Sequence, residues 1–472
     1  IPQRIYPVDS FPRNENGKTN VKAIKTILLE KLEQELLGEP AGDNAEDAGH
    51  NYQGEALEIY NAISPIYGKY VTKQHCGIHE NFFDLGGNSL DSVQLVADLQ
   101  YKGFEISAYD FNNTPTLDGV VNSVIKNKQS QAEAKNKAKR ESTKVFAAAQ
   151  DFFFKEHLAN PDVYNQTLLY KIDEQVDYDH LTTAVGLLCE QHELLRTAFS
   201  QEADGDMLAR PVKTDLASIL TRSVLPAGSE AGVAEVVQAK ADEIQSAISL
   251  ASGEVFKVHL FDAQGPGSYL LMVAHHISVD VISWRIITSE LTQIYCDLKE
   301  GIEIAASSVR HSFWDWVDHL EAESKGGELA SHVPAQAPAE TSSIAGKIDH
   351  TEGNAETYWF AFTPEQSREL EAASAAKDIP LHTVFLGALA HEYGQLDQRS
   401  QVCIDVESHG RVSFDPGIDI SRVVGWHTST FPLYLDVDEF VFDKTLVNVK
   451  NSFDAVPALG VAESWQIHRH QD

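Results

Sequence analysis

The chain has 472 residues, of which 43% are hydrophobic and 23% charged, and a formal net charge of −33 at pH 7. That length admits roughly two to four domains and at least one large core. So acidic a balance argues against nucleic acid and against an anionic membrane surface as partners. Cys76, Cys189, Cys296 and Cys403 are scattered without pattern. They read as reduced thiols of a cytoplasmic protein, with no disulfide framework. No apolar run approaches the length of a membrane span and no signal peptide opens the chain. The first residue is Ile1, which reads as part of something longer.

In chain order, residues 1–26 contain Arg13-Asn14-Glu15-Asn16-Gly17-Lys18, where an Asn-Gly turn holds Lys18 out on a loop. Val21 to Leu37 has helical spacing, and Gly38 to His50 is acidic and rich in Gly and Ala, so residues 27–51 read as a linker. From Tyr52 order resumes. Ala56, Leu57, Tyr60, Ile63 and Ile66 recur at helical spacing. Asp84-Leu85-Gly86-Gly87-Asn88-Ser89 then delivers Ser89 to the mouth of a helix running through Leu90, Val93, Leu95 and Val96. A serine there is either an ordinary N-cap or a hydroxyl that accepts a phosphate-linked group beside backbone N–H donors.

Residues 128–144 are nearly free of large apolar groups and read as a flexible or weakly helical linker. From Val145 onward lies one large domain. Tyr164–Ile172 and the apolar run Tyr269–Val273 read as strands, and Leu181–Glu190 as an amphipathic helix. Residues 325–357 read as a surface insertion. After it come helices at Pro364–Ala376 and Thr383–Gly394 and a strand at Val402–Val406.

His275-His276-Ile277-Ser278-Val279-Asp280 sits where the Tyr269–Val273 strand ends and a helix through Ile286–Tyr295 begins. A histidine pair at a strand edge is either a satisfied polar turn, half a metal site, or a base that titrates near neutral pH. No CxxC or HExxH accompanies it, so no metal is expected. Glu407-Ser408-His409-Gly410-Arg411 closes the last strand, and Arg422-Val423-Val424-Gly425-Trp426-His427-Thr428 follows.

Two resemblances rest on these motifs. The Asp84–Ser89 stretch, with Phe104-Glu105-Ile106-Ser107 and Pro115-Thr116-Leu117, resembles a peptidyl carrier over residues 52–127. This implies an all-α four-helix domain with 4′-phosphopantetheine on Ser89, shaped by Gly86 and Gly87. Arg13–Lys18 resembles the last motif of an adenylation domain, whose lysine would be orphaned here because only the tail is present. His275-His276-xxx-Asp280-x-Ile282-Ser283-Trp284-Arg285, Glu407–Arg411 and Arg422–Thr428 resemble the epimerization branch of the condensation superfamily of nonribosomal peptide synthetases. Over residues 145–472 the resemblance implies an α/β (α+β) pseudodimer of two chloramphenicol-acetyltransferase-like lobes, the second without its final strands.

That resemblance further implies that His276 and Glu407, on different lobes, take and return the α-proton of a tethered aminoacyl or peptidyl thioester. His275, Asp280, Trp284, Arg285, His409, Arg411 and Trp426 would support them. Trp284 and Trp426 are equally well read as core. The implied partners are an upstream adenylation domain, a downstream condensation domain and a phosphopantetheinyl transferase. Two readings stay open beside epimerization: peptide bond formation, and a carrier-docking module without chemistry. Val281 replaces a glycine of the pattern, and would be strained if that position required positive φ.

Overall fold

The computed structural model describes residues 52–71, 77–129, 142–156, 158–225, 230–263, 267–302, 304, 311–327, 329, 356–377, 379–412, 414–415, 417–438, 441–456 and 460–469. Lys18, the adenylation-like tail, the acidic linker, Cys76 and nearly all of the expected insertion lie outside the described residues.

Residues 52–129 form a helical unit of α1 (Glu55–Tyr67), α2 (Ser89–Tyr101), α3 (Ala108–Asn113) and α4 (Leu117–Gln129). In α1, Ile59, Ile63 and Tyr67 recur every fourth residue and are buried, so they form one stripe against the core. The expected stripe is thereby corrected in part. Leu57 is exposed, because burial follows the Ile59–Ile63–Tyr67 row. Phe82 and Phe111 meet edge to face at 5.2 Å in the middle of this core. Ser107 and Asp110 cap α3 reciprocally.

The interdomain linker is shorter than expected. Helix α4 extends to Gln129, and at the other end Thr143 bridges to Ala209 while Lys144 pairs with Glu202, Asp204 and Asp206. Both ends thus belong to the folded units.

The large domain begins with α5 (Ala148–Lys155), β1 (Asn165–Ile172), α6 (Tyr178–Gln191), β2 (Thr197–Gln201), β3 (Met207–Pro211) and the short α7 (Leu216–Ile219). It continues with β4 (Leu220–Val224), α8 (Glu230–Ser246), β5 (Phe256–Asp262), β6 (Ser268–His275) and α9 (Val281–Lys299). The main sheet has the order β1-β6-β5-β4, with β4 and β5 parallel and the other pairs antiparallel. Strands β5 and β6 are buried along nearly their whole length, as expected of central strands covered on both faces. Helices α6 and α9 cover one face through Leu181, Val185, Leu188, Ile287 and Leu291.

Helix α10 (Phe313–Gly326) leads out of this half and carries Lys325, which pairs with Glu321, so the start of the expected insertion is helical. The second half contains α11 (Pro364–Ala376), α12 (Leu381–Asp397), β7 (Gln401–Ser408), β8 (Ser429–Asp436), α13 (Phe442–Asp454) and α14 (Val461–Arg469). Strands β7 and β8 form an antiparallel pair whose packed face, Val402, Leu433 and Leu435, lies against Ala390 and Val449. A second core joins the halves, with Trp314 and Trp316 of α10, Trp426, and Trp465 of α14 all buried.

Leu188 is fully buried between α6 and the sheet. Leu188→Ala is expected to cost about 2–5 kcal/mol, read as a fall in the denaturation midpoint with unchanged slope.

Candidate active site between the two halves

The histidine turn is held from three sides. Strand β6 ends at His275, and a short 3-10 turn, His276–Ser278, leads to Asp280, the N-cap of α9. His275 Nε2 lies 2.7 Å from the Pro161 carbonyl, and its Nδ1 accepts the Ile277 N–H at 3.1 Å. Nε2 therefore carries the proton and both nitrogens are occupied. Burial lowers the His275 pKa to about 4, so the ring is neutral.

His276 is arranged differently. Its backbone N–H donates to the Tyr164 carbonyl, and Nδ1 lies 2.9 Å from the Val279 carbonyl. A carbonyl only accepts, so Nδ1 bears the hydrogen and Nε2 keeps a lone pair. The ring stacks on Tyr164 at 5.4 Å and lies 4.3 Å from the ring of Trp426 in the other half. Gln150, fully buried in α5, donates to the Ile277 carbonyl and steadies the turn.

Asp280 is the hub. It accepts from Ser283 N at 2.6 Å, from Arg411 Nη2 at 3.0 and 3.3 Å, and from His427 N at 3.2 Å. Burial alone would raise its pKa. The Arg411 guanidinium and the His427 and Ser283 donors outweigh burial and hold the carboxyl well below its ordinary range. Ser283 Oγ donates to the Gly425 carbonyl and receives Gly425 N and Arg411 Nη2. Burial, with Arg411 adding, lowers the pKa of both His409 and His427 to about 4. Gly410 has φ 60°, and a Cβ there would lie 1.8 Å from the His427 carbonyl, so only glycine fits. Val281 is the first residue of α9, and Gln398 is the one non-glycine with positive φ among the described residues. The strain expected at Val281 is absent, because a helical position has replaced the presumed left-handed one.

The expected residues are thus only partly brought together. Trp426 touches His276, and Arg411 and Asp280 join beneath it. Glu407 stands on the exposed face of β7 opposite Thr430 and makes no ion pair or hydrogen bond with His276 among the described residues. Trp284 donates Nε1 to Gln166 at 2.7 Å and lines a groove of about 990 Å³ beside the helical unit, away from the histidine. Arg285 lies 3.9 Å from Asp91 of α2.

The N-terminus of α2 is equally defined. Asn88 Oδ1 accepts Asp91 N, and Asp91 Oδ2 accepts both the amide N and Nδ2 of Asn88. Asn88 is therefore the N-cap, and Ser89 occupies the first helical position, relieved of the capping role. Gly86 has φ 96°, and a Cβ on Gly87 would overlap the Phe82 ring at 2.2 Å.

Sequence reasoning missed Tyr164, Ser283, His427 and the buried pair Glu290–Arg422. Glu290 left a signal, since a carboxylate interrupts the apolar row Ile286, Ile287, Leu291, Ile294.

Residues 141–456, the greater part of the chain, match the model of the condensation domain. The chain belongs to the condensation-domain family. Residues 70–124 match the phosphopantetheine attachment site, which makes the helical unit a carrier for covalent 4′-phosphopantetheine. The freed helix start behind Gly86 and Gly87 suits such a group. The chain is 28% identical over 492 residues to a linear gramicidin synthase of Brevibacillus parabrevis, covering 100% of this chain and 9% of that protein. It is 24% identical to surfactin synthase subunit 1 of Bacillus subtilis (strain 168), covering 98% and 12%. It therefore spans about a tenth of these relatives. The fold is similar to the epimerization domain from the third module of tyrocidine synthetase B, with a TM-score of 0.59 and 24% identity over 70% of this chain and 76% of that one. The first condensation domain of the calcium-dependent antibiotic synthetase is similar at TM-score 0.50 and 17% identity, covering 67% and 75%. The chain is thus a carrier joined to a condensation-superfamily domain of the nonribosomal peptide synthetase kind. Among the described residues no helix is long and apolar enough to cross a membrane.

Two outcomes follow from the site. Arg411→Ala leaves Asp280 buried without its cation and is expected to cost about 3–5 kcal/mol, measured by chemical denaturation. The folded-state pKa values of His275, His409 and His427 are depressed to about 4. Stability from their neutral burial is complete above the unfolded histidine pKa, about 6.5, and drains as the pH falls toward 4. Melting temperature followed from pH 7.5 to 4 should decline from near pH 6.5, and a flat profile down to pH 5 would contradict the assignment.

Proposed function

We propose that this chain holds an aminoacyl or peptidyl thioester on Ser89 and inverts its α-carbon, with His276 as the base. The observation that carries this reading is the His276 tautomer. Nδ1–H is committed to the Val279 carbonyl, so Nε2 presents a lone pair beside Trp426. The phosphopantetheine arm supplies a thioester, whose α-proton is more acidic than that of an amide. His276 Nε2 removes that proton from one face, and the Glu407 carboxyl returns a proton to the other. One proton leaves and one arrives, with no net change of oxidation state. Asp280 and Arg411 hold the turn and the Glu407-bearing segment in one frame and take no part in proton transfer. His275 is engaged by Pro161 and Ile277.

Epimerization is favoured over acyl transfer by the Ile282-Ser283-Trp284-Arg285 continuation after Asp280 and by the Glu407–Arg411 stretch. The likeness to an epimerization domain supports the same reading. An upstream adenylation domain, a downstream condensation domain and a phosphopantetheinyl transferase are the partners it needs.

The loaded chain is expected to incorporate solvent deuterium at the α-carbon and to release a mixture of D and L amino acid on thioester hydrolysis. His276→Ala and Glu407→Gln should each slow this exchange about 10²–10⁴-fold, and Ser89→Ala should abolish loading. Undiminished exchange in both site variants, or pure L product from the parent chain, would sink the proposal. Peptide bond formation between two loaded carriers would instead establish acyl transfer.

A further inference from the structure

The carrier is seated on α9 and on the loop before Trp426, and one contact of that seat is built more elaborately than the rest. Tyr101 is the last residue of α2, the helix that begins at Ser89. Its hydroxyl donates to Asp297 Oδ2 at 3.0 Å, and Asp297 Oδ1 is held in turn by Gln293 at 2.8 Å. Its ring lies 5.5 Å from the guanidinium carbon of Arg422. Arg422 is itself fixed from below. Its Nε and Nη2 reach Glu290 Oε1 at 2.8 and 2.7 Å, and Glu290 Oε2 lies 2.7 Å from His192 Nε2. His192, Glu290 and Arg422 are 4%, 3% and 6% exposed. A buried charged triad therefore presents one flat cation to one aromatic ring of the carrier.

At the other end of α2 the signs are again complementary, with Asp91 3.9 Å from Arg285. Between the two ends Val93 enters the large domain's own core beside Val424. A guanidinium held flat by a carboxylate loses little freedom on meeting an aromatic face, and desolvation strengthens the attraction.

We propose that the Tyr101–Arg422 contact is the anchor by which this condensation-family domain selects its carrier. The surface fits a carrier helix with an acidic residue in the first turn after the attachment serine and a tyrosine at its C-terminal end. The inference rests on the reading that the carrier serves the adjoining domain, but it concerns docking and is separable from the chemistry. Arg422 is a positioning residue here. It fixes the start of the Arg422–His427 segment whose Trp426 lies on His276, so docking and the base share one short stretch of backbone.

The test uses the full chain with Ser89→Ala, so that no chemistry is involved, and follows amide hydrogen exchange by mass spectrometry. Tyr101→Ala is expected to speed exchange in peptides covering residues 93–101 and 418–424 by roughly 2- to 30-fold, with the α6 and β5 peptides unchanged. Tyr101→Phe keeps the ring and loses only the Asp297 bond, so it should retain most of the protection. Arg422→Ala would strand Glu290 and risk misfolding, so the cation is tested with Arg422→Lys, which keeps the charge and loses the flat face. Combined with Tyr101→Ala, it should add little further exchange. Unaltered exchange in Tyr101→Ala overturns the proposal. So does a Tyr101→Phe variant as unprotected as Tyr101→Ala, or additive effects of the two substitutions. Docking retained with α-proton exchange absent would leave this inference standing and remove the epimerization reading; loss of docking in Tyr101→Ala with exchange present in the parent supports both.

Discussion

The Asp280–Arg411 ion pair is the constraint on which the rest of the site depends. The two residues lie on different halves of the domain, and both side chains are almost wholly out of water. Isolated, either charge would be too costly to bury. Together, and with Ser283, Gly425 and His427 completing their hydrogen bonds, they form a closed polar network inside an apolar junction. Such a network adds little net stability over an apolar core but is strongly destabilising when one member is removed. Its service is geometric. Asp280 caps α9 and ends the turn that carries His276, while Arg411 ends the strand segment that carries Glu407 and ties down the carbonyls of Ile420 and Val423. The base, the carboxylate segment and the Trp426 wall are thus referred to one point.

Backbone shape makes that network possible. The left-handed Gly410 lets its strand fold directly onto the His427 carbonyl, and Gly425 passes so close to Phe313 that a Cβ would overlap the ring at 2.1 Å. Side chains at either place would push the halves apart and break Ser283 from Gly425. The buried histidines answer to the same economy of space. Neutral imidazoles fill the junction without needing counter-ions, and each donates or accepts where a backbone group would otherwise be unpaired. The chemistry at His276 is set apart from them by one difference, a ring partly open and with Nε2 uncommitted.

Much of this frame is legible in the sequence. The buried strands β5 and β6 announce themselves as continuous apolar runs, α9 by its 3.6-residue period, and the Gly86–Ser89 start of α2 by its composition. Asp280 and Arg411 are recognisable as members of the site, but their pairing is not, because they are far apart in sequence and only the meeting of the two halves creates it. The carrier's core row is misassigned at Leu57, since adjacent apolar residues at a helix start leave the phase of the stripe ambiguous by about one residue. Val281 misleads for a related reason. A missing glycine suggests strain only if the backbone is known, and here the position is helical. Trp284 shows the limit on side-chain direction. It sits between Ser283 and Arg285 of α9, yet it turns to Gln166 and the carrier-side groove while Ser283 turns inward.

That divergence explains why one helix can serve two purposes. Around α9, Asp280 and Ser283 face the junction of the halves, Glu290 faces Arg422 beneath the carrier, and Arg285 and Asp297 meet the carrier itself. A helix is stiff over this length, so residues on its different faces keep fixed relative positions. The N-terminal turn of α2, where the arm is borne, is thereby referred to the same helix that fixes the base. A carrier that gripped a separate, mobile element would have to find His276 anew at each encounter. Seating it on the helix capped by Asp280 makes correct docking and correct aim a single geometric condition.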